Sequence, residues 1–166
     1  YDGLLNMDAT QLKHTEEISG PPGHRGAYLA FGKGALANQL VFYSNQTLWR
    51  FDTRTRRVQQ LVWLETDTVT NDVAVDDAGR LYYVNRRGEE QWKIYRVDAG
   101  GGNREELLAH YHQITHLALD DRNKLLYFST YDADSSVCYL DLARRAGKPT
   151  CIVKDVEITG IALSPS

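Results

Sequence analysis

The feature that most constrains the fold is an apolar triplet with alanine at its centre, which recurs at a constant spacing of 44 residues. Its four copies are Leu29–Phe31, Val73–Val75, Leu117–Leu119 and Ile161–Leu163. A period between about 20 and 50 residues indicates an array of structural repeats, in which each unit buries its apolar face against its neighbours. The sequence therefore predicts one repeat array that occupies residues 1–166.

Each of the first three triplets is followed by three further strand-like segments. An aromatic segment begins at Phe42, Tyr82 and Tyr127, and the next segment ends on aspartate at Asp52, Asp98 and Asp141. A short fourth segment closes each unit at residues 58–62, 105–108 and 150–153. Turn residues separate these runs, which is typical of an all-β array. Four antiparallel strands in a unit of about 44 residues predict the blade of a β-propeller.

The repeat boundaries predict about 3.75 blades. Strands three and four of one blade occupy residues 1–18, whole blades occupy 27–63, 69–109 and 114–154, and residues 158–166 begin the next. The split blade lacks its second strand, and natural proteins normally cover such an open edge. We therefore expect a larger ring, of six blades, that another chain or a missing segment completes.

Composition narrows the classes of partner. The 166 residues carry a formal net charge of −3 with scattered Lys and Arg, so nothing favours nucleic acid. No apolar run reaches the ~20 residues of a membrane span. The chain has neither an initiator Met nor a signal peptide, so we expect a mature or excised piece.

Several motifs resemble known six-bladed propellers. The run Thr115–Asp120, with the later segments of its repeat, resembles the YWTD (LDL-receptor class B), NHL and senescence-marker/gluconolactonase groups. The tetrapeptide that names the YWTD group reads Tyr82-Tyr83-Val84-Asn85 here and lacks the acidic residue. Residues 71–76 look like the gluconolactonase strand in which the asparagine is a metal ligand. Residues 126–129 and 160–165 are similar to insect yellow/royal-jelly and ommochrome-binding proteins.

Candidate binding residues surround one mouth of the predicted channel. First strands line the channel of a propeller, and polar groups that converge on a concave site are the default hypothesis for a ligand site. The candidates are Tyr28, Asn71, Asp72, His112 and His116. Tyr28, Asp72 and His116 precede the triplet at equivalent positions. The alternative is that these side chains only hydrogen-bond strand ends and loops.

Two metal hypotheses use the same mouth. His110, His112 and His116 offer imidazoles that suit zinc or copper, although a site needs three or four converging ligands. The gluconolactonase resemblance implies calcium at Asn71 and Asp72, with further oxygen ligands from other blades. The leading expectation is that no cofactor is bound.

Two features indicate the compartment. Asn45-Gln46-Thr47 is an N-glycosylation sequon at a predicted turn. Cys138 and Cys151, the only cysteines, lie on adjacent strands and can face each other across an antiparallel pair. A disulfide would indicate an oxidising compartment, and two buried free thiols are the alternative. Together these features predict a secreted protein.

No catalytic motif decides the function. Neither a Gly-x-Ser-x-Gly elbow, a Gly-rich phosphate loop nor a Cys-x-x-Cys pair is present. The leading hypothesis is a secreted, non-enzymatic binding propeller that holds a small molecule or an extracellular protein at the channel mouth. The alternative is a metal-dependent hydrolase or lactonase of gluconolactonase type.

Overall fold

The computed structural model describes residues 29–44, 46–65, 68–131, 135–144, 147–156 and 158–163. These residues form twelve strands and one short 3-10 helix, Gly34–Leu36. The first sheet contains β1 (Leu29–Phe31), β2 (Gln39–Ser44), β3 (Thr47–Asp52) and β4 (Val58–Trp63). The second contains β5 (Thr68–Val75), β6 (Leu81–Arg87), β7 (Trp92–Val97) and β8 (Glu105–His110). The third contains β9 (Gln113–Asp120), β10 (Leu125–Tyr131), β11 (Ser136–Asp141) and β12 (Thr150–Lys154).

Each sheet is a four-stranded antiparallel meander in chain order. The predicted all-β fold of four-stranded propeller blades is confirmed. The sheets span residues 29–63, 68–110 and 113–154, and the division of the whole chain into blades stays a prediction. The two leading strands predicted in residues 1–18 lie outside the described residues.

The second sheet is buried on both faces. Side chains alternate along a strand, so Leu81 and Tyr83 of β6 face the first sheet, whereas Tyr82 and Val84 face the third. All four are 0% exposed. This continuous apolar run is what a blade between two other blades requires, since each of its faces must be covered.

Two apolar cores lie between consecutive sheets. The core between the first and second sheets contains Leu36, Val41, Leu48, Leu61, Val62, Leu64, Val73, Val75, Leu81, Tyr83 and Val97. The core between the second and third contains Tyr82, Val84, Trp92, Ile94, Ile114, Leu117, Leu126, Phe128, Cys138 and Leu140. Burial of such side chains contributes about 25 cal/mol per Å² of apolar surface, so these contacts are the main force that holds the blades together.

The turns between the first and second strands of each sheet make polar contacts that also join neighbouring sheets. The backbone N–H of Asp77 donates to the Asp121 carboxylate in the next blade, and Lys33 Nζ lies 3.3 Å from Asp77 Oδ1. Within the β5–β6 turn, buried Asp76 accepts hydrogen bonds from Ala78 N and Arg80 N at 3.0 and 2.8 Å. The carboxylates therefore fix both the turn and the stacking of consecutive blades.

The register of the first blade differs by one residue from the sequence alignment. Ala74 pairs with Tyr82 and Ala118 with Tyr127, as the aromatic alignment requires, but Ala30 pairs with Val41 and not with Phe42. The β1–β2 loop at residues 32–38, which contains the 3-10 helix, is longer than the corresponding turns of the other two sheets. It shifts the register of β2 by one residue. Val41 therefore faces the second sheet. It occupies the position that an aromatic residue has in the other two sheets.

Residues 158–163 form no strand, although the sequence predicts a first strand there. A strand needs a hydrogen-bonded neighbour, and the described residues provide none at this position. Within the described part of the chain, no helix has the length and apolarity to cross a membrane.

Cys138 and Cys151 form a disulfide. The two residues are directly paired in the β11–β12 ladder, next to an irregularity in the register at Val137 and Cys138. Cys138 is 1% exposed, whereas Cys151 is exposed. The disulfide therefore ties the outermost strand of the third blade to its core, and the alternative of two free thiols is wrong.

Candidate functional site

Two consecutive inner strands carry a β-bulge at the same position of the repeat. In β5 the register shifts between Thr70 and Val73, which places Asn71 and Asp72 in the bulge. In β9 the shift at Ser129 of the partner strand places the bulge at Thr115 and His116. A bulge breaks the alternation of a strand and turns side chains out of the sheet, which is why bulges often lie next to functional sites.

The β5 bulge binds the backbone of the β9 bulge. Asn71 Nδ2 donates to the carbonyl oxygen of Ile114 at 2.7 Å, and Asp72 Oδ2 accepts from the N–H of Leu117 at 2.7 Å. Asp72 Oδ1 also accepts from its neighbour Val73 N at 2.8 Å. An inner strand has only one paired edge, so backbone groups on its other edge need partners from side chains. Asn71 and Asp72 supply those partners and join two blades.

Asp72 is a partly buried carboxylate whose pKa is raised. Burial is the largest influence and raises its pKa above the ordinary value. The hydrogen bonds from Leu117 and Val73 and the nearby His116 act in the opposite direction, and burial prevails. Asp72 and His116, which the sequence predicts to be neighbours, are thus close enough to interact electrostatically.

The β9 bulge also contributes the hydroxyl group of Thr115, a residue that the sequence predicts at the channel mouth but that is not among the five candidates. Thr115 Oγ1 lies 2.8 Å from Ser129 Oγ and is therefore held against β10, on the same bulge as His116. Thr115 lies one repeat after Asn71. The candidate site consists of the polar side chains on the two bulges. We call it the inner-strand site (Asn71, Asp72, Thr115 and His116).

His112 lies between β8 and β9, next to His110, and its place in the site stays a prediction. Its ring centroid is 5.3 Å from that of His110, and its backbone N–H donates to His110 Nδ1 at 3.2 Å. The two histidines at the end of β8 therefore contact each other. Tyr28 lies outside the described residues, so its place in the site stays a prediction, as does glycosylation of Asn45.

The described residues do not form a metal site by themselves. No group of three or more His, Cys, Asp or Glu among them is placed to hold a metal ion. Both carboxylate oxygens of Asp72 accept backbone N–H groups, and Asn71 Nδ2 is used by Ile114. Calcium at Asn71 and Asp72 would need additional oxygen ligands from beyond the described residues.

The fold and the inner-strand site define this chain as a segment of a β-propeller with polar groups on its innermost strands. The SMP-30/Gluconolactonase/LRE-like region matches residues 7–150. The chain belongs to this family, one of the groups that the sequence motifs resemble. No curated protein matches the chain.

Solved propellers share the fold at low identity. The chain is similar to a protein assigned as TolB from Agrobacterium tumefaciens, with a TM-score of 0.63 and 14% identity over 80% of this chain and 50% of that one. An oligogalacturonate lyase in complex with manganese gives a TM-score of 0.62 at 12% identity over 81% and 42% of the two chains. The calcium-binding protein regucalcin from Agrobacterium tumefaciens gives 0.59 at 19% identity over 81% and 48%. The chain thus spans about half the length of these propellers or less.

The family corrects the leading functional hypothesis. A non-enzymatic binding propeller is wrong as the main interpretation, because the match over residues 7–150 places the chain in the SMP-30/Gluconolactonase/LRE-like family and favours the alternative. The sequence lacks a nucleophile motif, but an enzyme whose groups lie on separate strands needs no contiguous motif.

Proposed function

We propose that the propeller to which this chain contributes is a metal-dependent hydrolase of gluconolactonase type, which opens a lactone or a related ester. The family match over residues 7–150 is the observation that carries the proposal. The inner-strand site supports it, since it places a carboxylate and an imidazole on adjacent inner strands.

The two side chains would have different roles. Asp72 is committed to Val73 N and Leu117 N, so it positions the β9 bulge and acts on His116 through its charge. The His116 side chain is only half buried. We assign proton transfer to His116, because imidazole takes up and releases protons near neutral pH.

In this scheme water supplies the nucleophile. The imidazole accepts a proton from water as the oxygen attacks the lactone carbonyl, and the ring C–O bond then breaks. The departing alkoxide takes the proton back, which leaves the hydroxy acid and a neutral histidine. Asn71, together with oxygen ligands from additional blades, would hold the metal, and the metal would polarise the lactone carbonyl.

The test is hydrolysis of D-glucono-1,5-lactone by the native protein, followed by acid release at constant pH with calcium or with a chelator. We expect calcium-dependent hydrolysis. His116→Ala should lower kcat by about 100-fold, which is the low end for loss of a general base. Arg122→Gln, an exposed change in the β9–β10 turn, is the control. Absence of lactone hydrolysis in native protein with calcium would refute the proposal.

We infer in addition that the protein is secreted. The Cys138–Cys151 disulfide supports this, because disulfides persist mainly in oxidising compartments. Peptide mapping of the native protein without reduction should recover the two cysteine peptides linked, and alkylated thiols at both positions would contradict the inference.

We also propose that a neighbouring blade, from a second chain or another segment, covers each outer face of this array. The outward face of the third sheet carries Tyr127 and Tyr139, whose rings lie 5.7 Å apart. At the other end of the array, Phe31 of the first sheet is 74% exposed. Monomeric proteins seldom leave such aromatic faces open. The native mass tests this proposal, and a monodisperse 18.8 kDa particle would contradict it.

A further inference from the structure

The turn between β3 and β4 carries the densest cluster of positive charge in the sequence. Residues 50–57 contain four arginines, Arg50, Arg54, Arg56 and Arg57, against a single carboxylate at Asp52. This segment therefore has a formal charge of +3, whereas the whole chain has a formal net charge of −3. Arg54, Arg56 and Arg57 are exposed, and Arg50 is partly buried. We call the four residues the arginine hairpin.

The arginine hairpin is not neutralised by neighbouring carboxylates. Within the part of the chain that the structure describes, none of its four guanidinium groups forms an ion pair. Asp52 is used by the turn, since its Oδ1 atom accepts hydrogen bonds from Arg54 N at 2.9 Å and from Thr55 N at 2.8 Å. Arg50 Nε donates to the neutral side chain of Gln59 at 3.1 Å. The excess positive charge is therefore open to an external anion.

Arg56 adds charge to the turn without stabilising it. Its backbone lies in the left-handed region at φ 58°, which glycine or asparagine adopts at lower cost. Its N–H donates to the carbonyl oxygen of Asp52 at 2.8 Å, a bond that every residue except proline can make. Its side chain is exposed. The fold of the turn thus gives no reason for an arginine at this position, and a ligand would.

Arg50 and Arg57 line a small depression beside the turn. Its volume is about 190 Å³, and its other lining residues are Gln39, Asp52, Thr55 and Gln59. This volume is below the roughly 300 Å³ at which sites for drug-sized ligands begin, so the depression takes one small group. A guanidinium presents its N–H donors in a planar fork that fits the oxygens of a tetrahedral oxyanion. Two guanidinium groups at the depression and two more at the tip of the turn suit a ligand with several anionic groups.

We propose that the arginine hairpin binds a sulfated polysaccharide, with one sulfate group in the depression and further sulfate groups at Arg54 and Arg56. Basic segments of about five to eight residues are typical of sites for polyanions such as heparin or nucleic acid. The Cys138–Cys151 disulfide favours the polysaccharide, because it supports an oxidising, extracellular compartment. This choice of partner rests on the proposed secretion. It is independent of the proposed hydrolysis, since the arginine hairpin shares no residue with the inner-strand site.

The test titrates the native protein with three probes by isothermal titration calorimetry at low ionic strength. The probes are a size-defined heparin oligosaccharide, the same oligosaccharide after desulfation, and a DNA duplex of similar net charge. We expect heparin to bind more tightly than DNA, and the desulfated oligosaccharide to bind at least about tenfold more weakly than heparin, because most of its anionic groups are lost. The affinity for heparin should fall as salt is added, since binding releases counterions.

Two triple variants with the same net charge locate the site. Arg54→Gln with Arg56→Gln and Arg57→Gln should weaken heparin binding at least about tenfold, because three contacts with anionic groups are lost. The control carries Arg122→Gln, Lys148→Gln and Lys154→Gln, all at exposed positions of the third blade. Its affinity for heparin should be nearly that of the native protein.

Arg56→Gly separates a binding role from a structural one. Glycine adopts the left-handed backbone more readily, so the melting temperature should stay the same or rise while the affinity for heparin falls. The proposal would be overturned by no binding of heparin, by equal binding of the desulfated probe, by tighter binding of DNA, or by equal losses in the two triple variants. Lactone hydrolysis should be unchanged in the arginine triple variant, so failure of either proposal is recognised separately.

Discussion

Asp72 Oδ2 accepts a hydrogen bond from Leu117 N at 2.7 Å, and this contact joins residues 45 positions apart in adjacent blades. Together with the Asn71–Ile114 bond it brackets the bulge that carries Thr115 and His116. The acidic residue that looks like a ligand in the sequence is therefore also what positions the next blade's imidazole. Asp72 therefore contributes both to the packing of the two blades and to the candidate site.

Asp72→Asn should destabilise the protein. The amide can still accept one N–H but presents a donor to the other, so we expect a loss of about 1–3 kcal/mol in the free energy of unfolding. Denaturant unfolding of the native protein measures it. Glu89→Gln, which neutralises an exposed carboxylate in the β6–β7 turn, serves as the charge-matched control. Equal stability of the two variants would show that the interblade bond contributes nothing.

Tyr83→Phe should stabilise the protein at neutral pH. The Tyr83 side chain is 0% exposed, and its hydroxyl has no partner among the described residues. Removing it relieves the desolvation cost, by about 1 kcal/mol. Tyr111→Phe, at a side chain that is 86% exposed, should have no effect. Thermal or denaturant unfolding decides, and a destabilised Tyr83→Phe variant would mean that the hydroxyl is satisfied.

The same side chain predicts a loss of stability in alkali. Burial raises the pKa of Tyr83 from 10.0 to about 12. The unfolded chain therefore releases this proton first, so the stability present below pH 10 declines as the pH rises through 12, by at most about 2–3 kcal/mol. Tyr83→Phe should flatten the decline between pH 10 and 12. Identical pH profiles of native protein and variant would exclude Tyr83 as its cause.

Two alanines test how the blades are covered. Ala74 packs against the core between the second and third sheets, so Ala74→Leu should cost about 1–3 kcal/mol through overpacking. Ala118 lies between Leu117 and Leu119, which face that core, and so points to the opposite, outward face. If a neighbouring blade covers this face in the native particle, Ala118→Leu costs a similar amount. A silent Ala118→Leu beside a costly Ala74→Leu would refute the proposed neighbour.

The disulfide should contribute to stability. It closes a short loop with a sequence separation of 13, which the chain-entropy model values at about 3 kcal/mol. The double variant Cys138→Ser with Cys151→Ser should lose roughly that amount and become insensitive to reductant, since the chain has only two cysteines. Dithiothreitol should lower the melting temperature of the native protein, because Cys151 is exposed. No response to reduction would contradict this role.

The repeat, the strand order and the all-β class could be predicted from the sequence. Those features depend on local periodicity, because apolar triplets, aromatic runs and turn residues recur at a spacing that fits four-stranded blades. The pairing of Cys138 and Cys151 was predictable for the same reason, since both lie in a short hairpin whose strands are adjacent. The family resemblance at Asn71–Asp76 was also visible in the letters.

The directions of the polar side chains could not be predicted from the sequence, because they depend on how the strands bulge and how the blades pack. A bulge shifts the alternation of a strand by one residue, so the sequence could list Asn71, Asp72 and His116 but not show that two of them bind the next blade. A longer loop likewise moved Val41 into the position expected for Phe42. Asn85 is the last residue of the tetrapeptide that departs from the YWTD pattern. Its buried Oδ1 atom has no hydrogen-bond partner among the described residues. This depends on how two blades pack together, which the sequence of one repeat does not show.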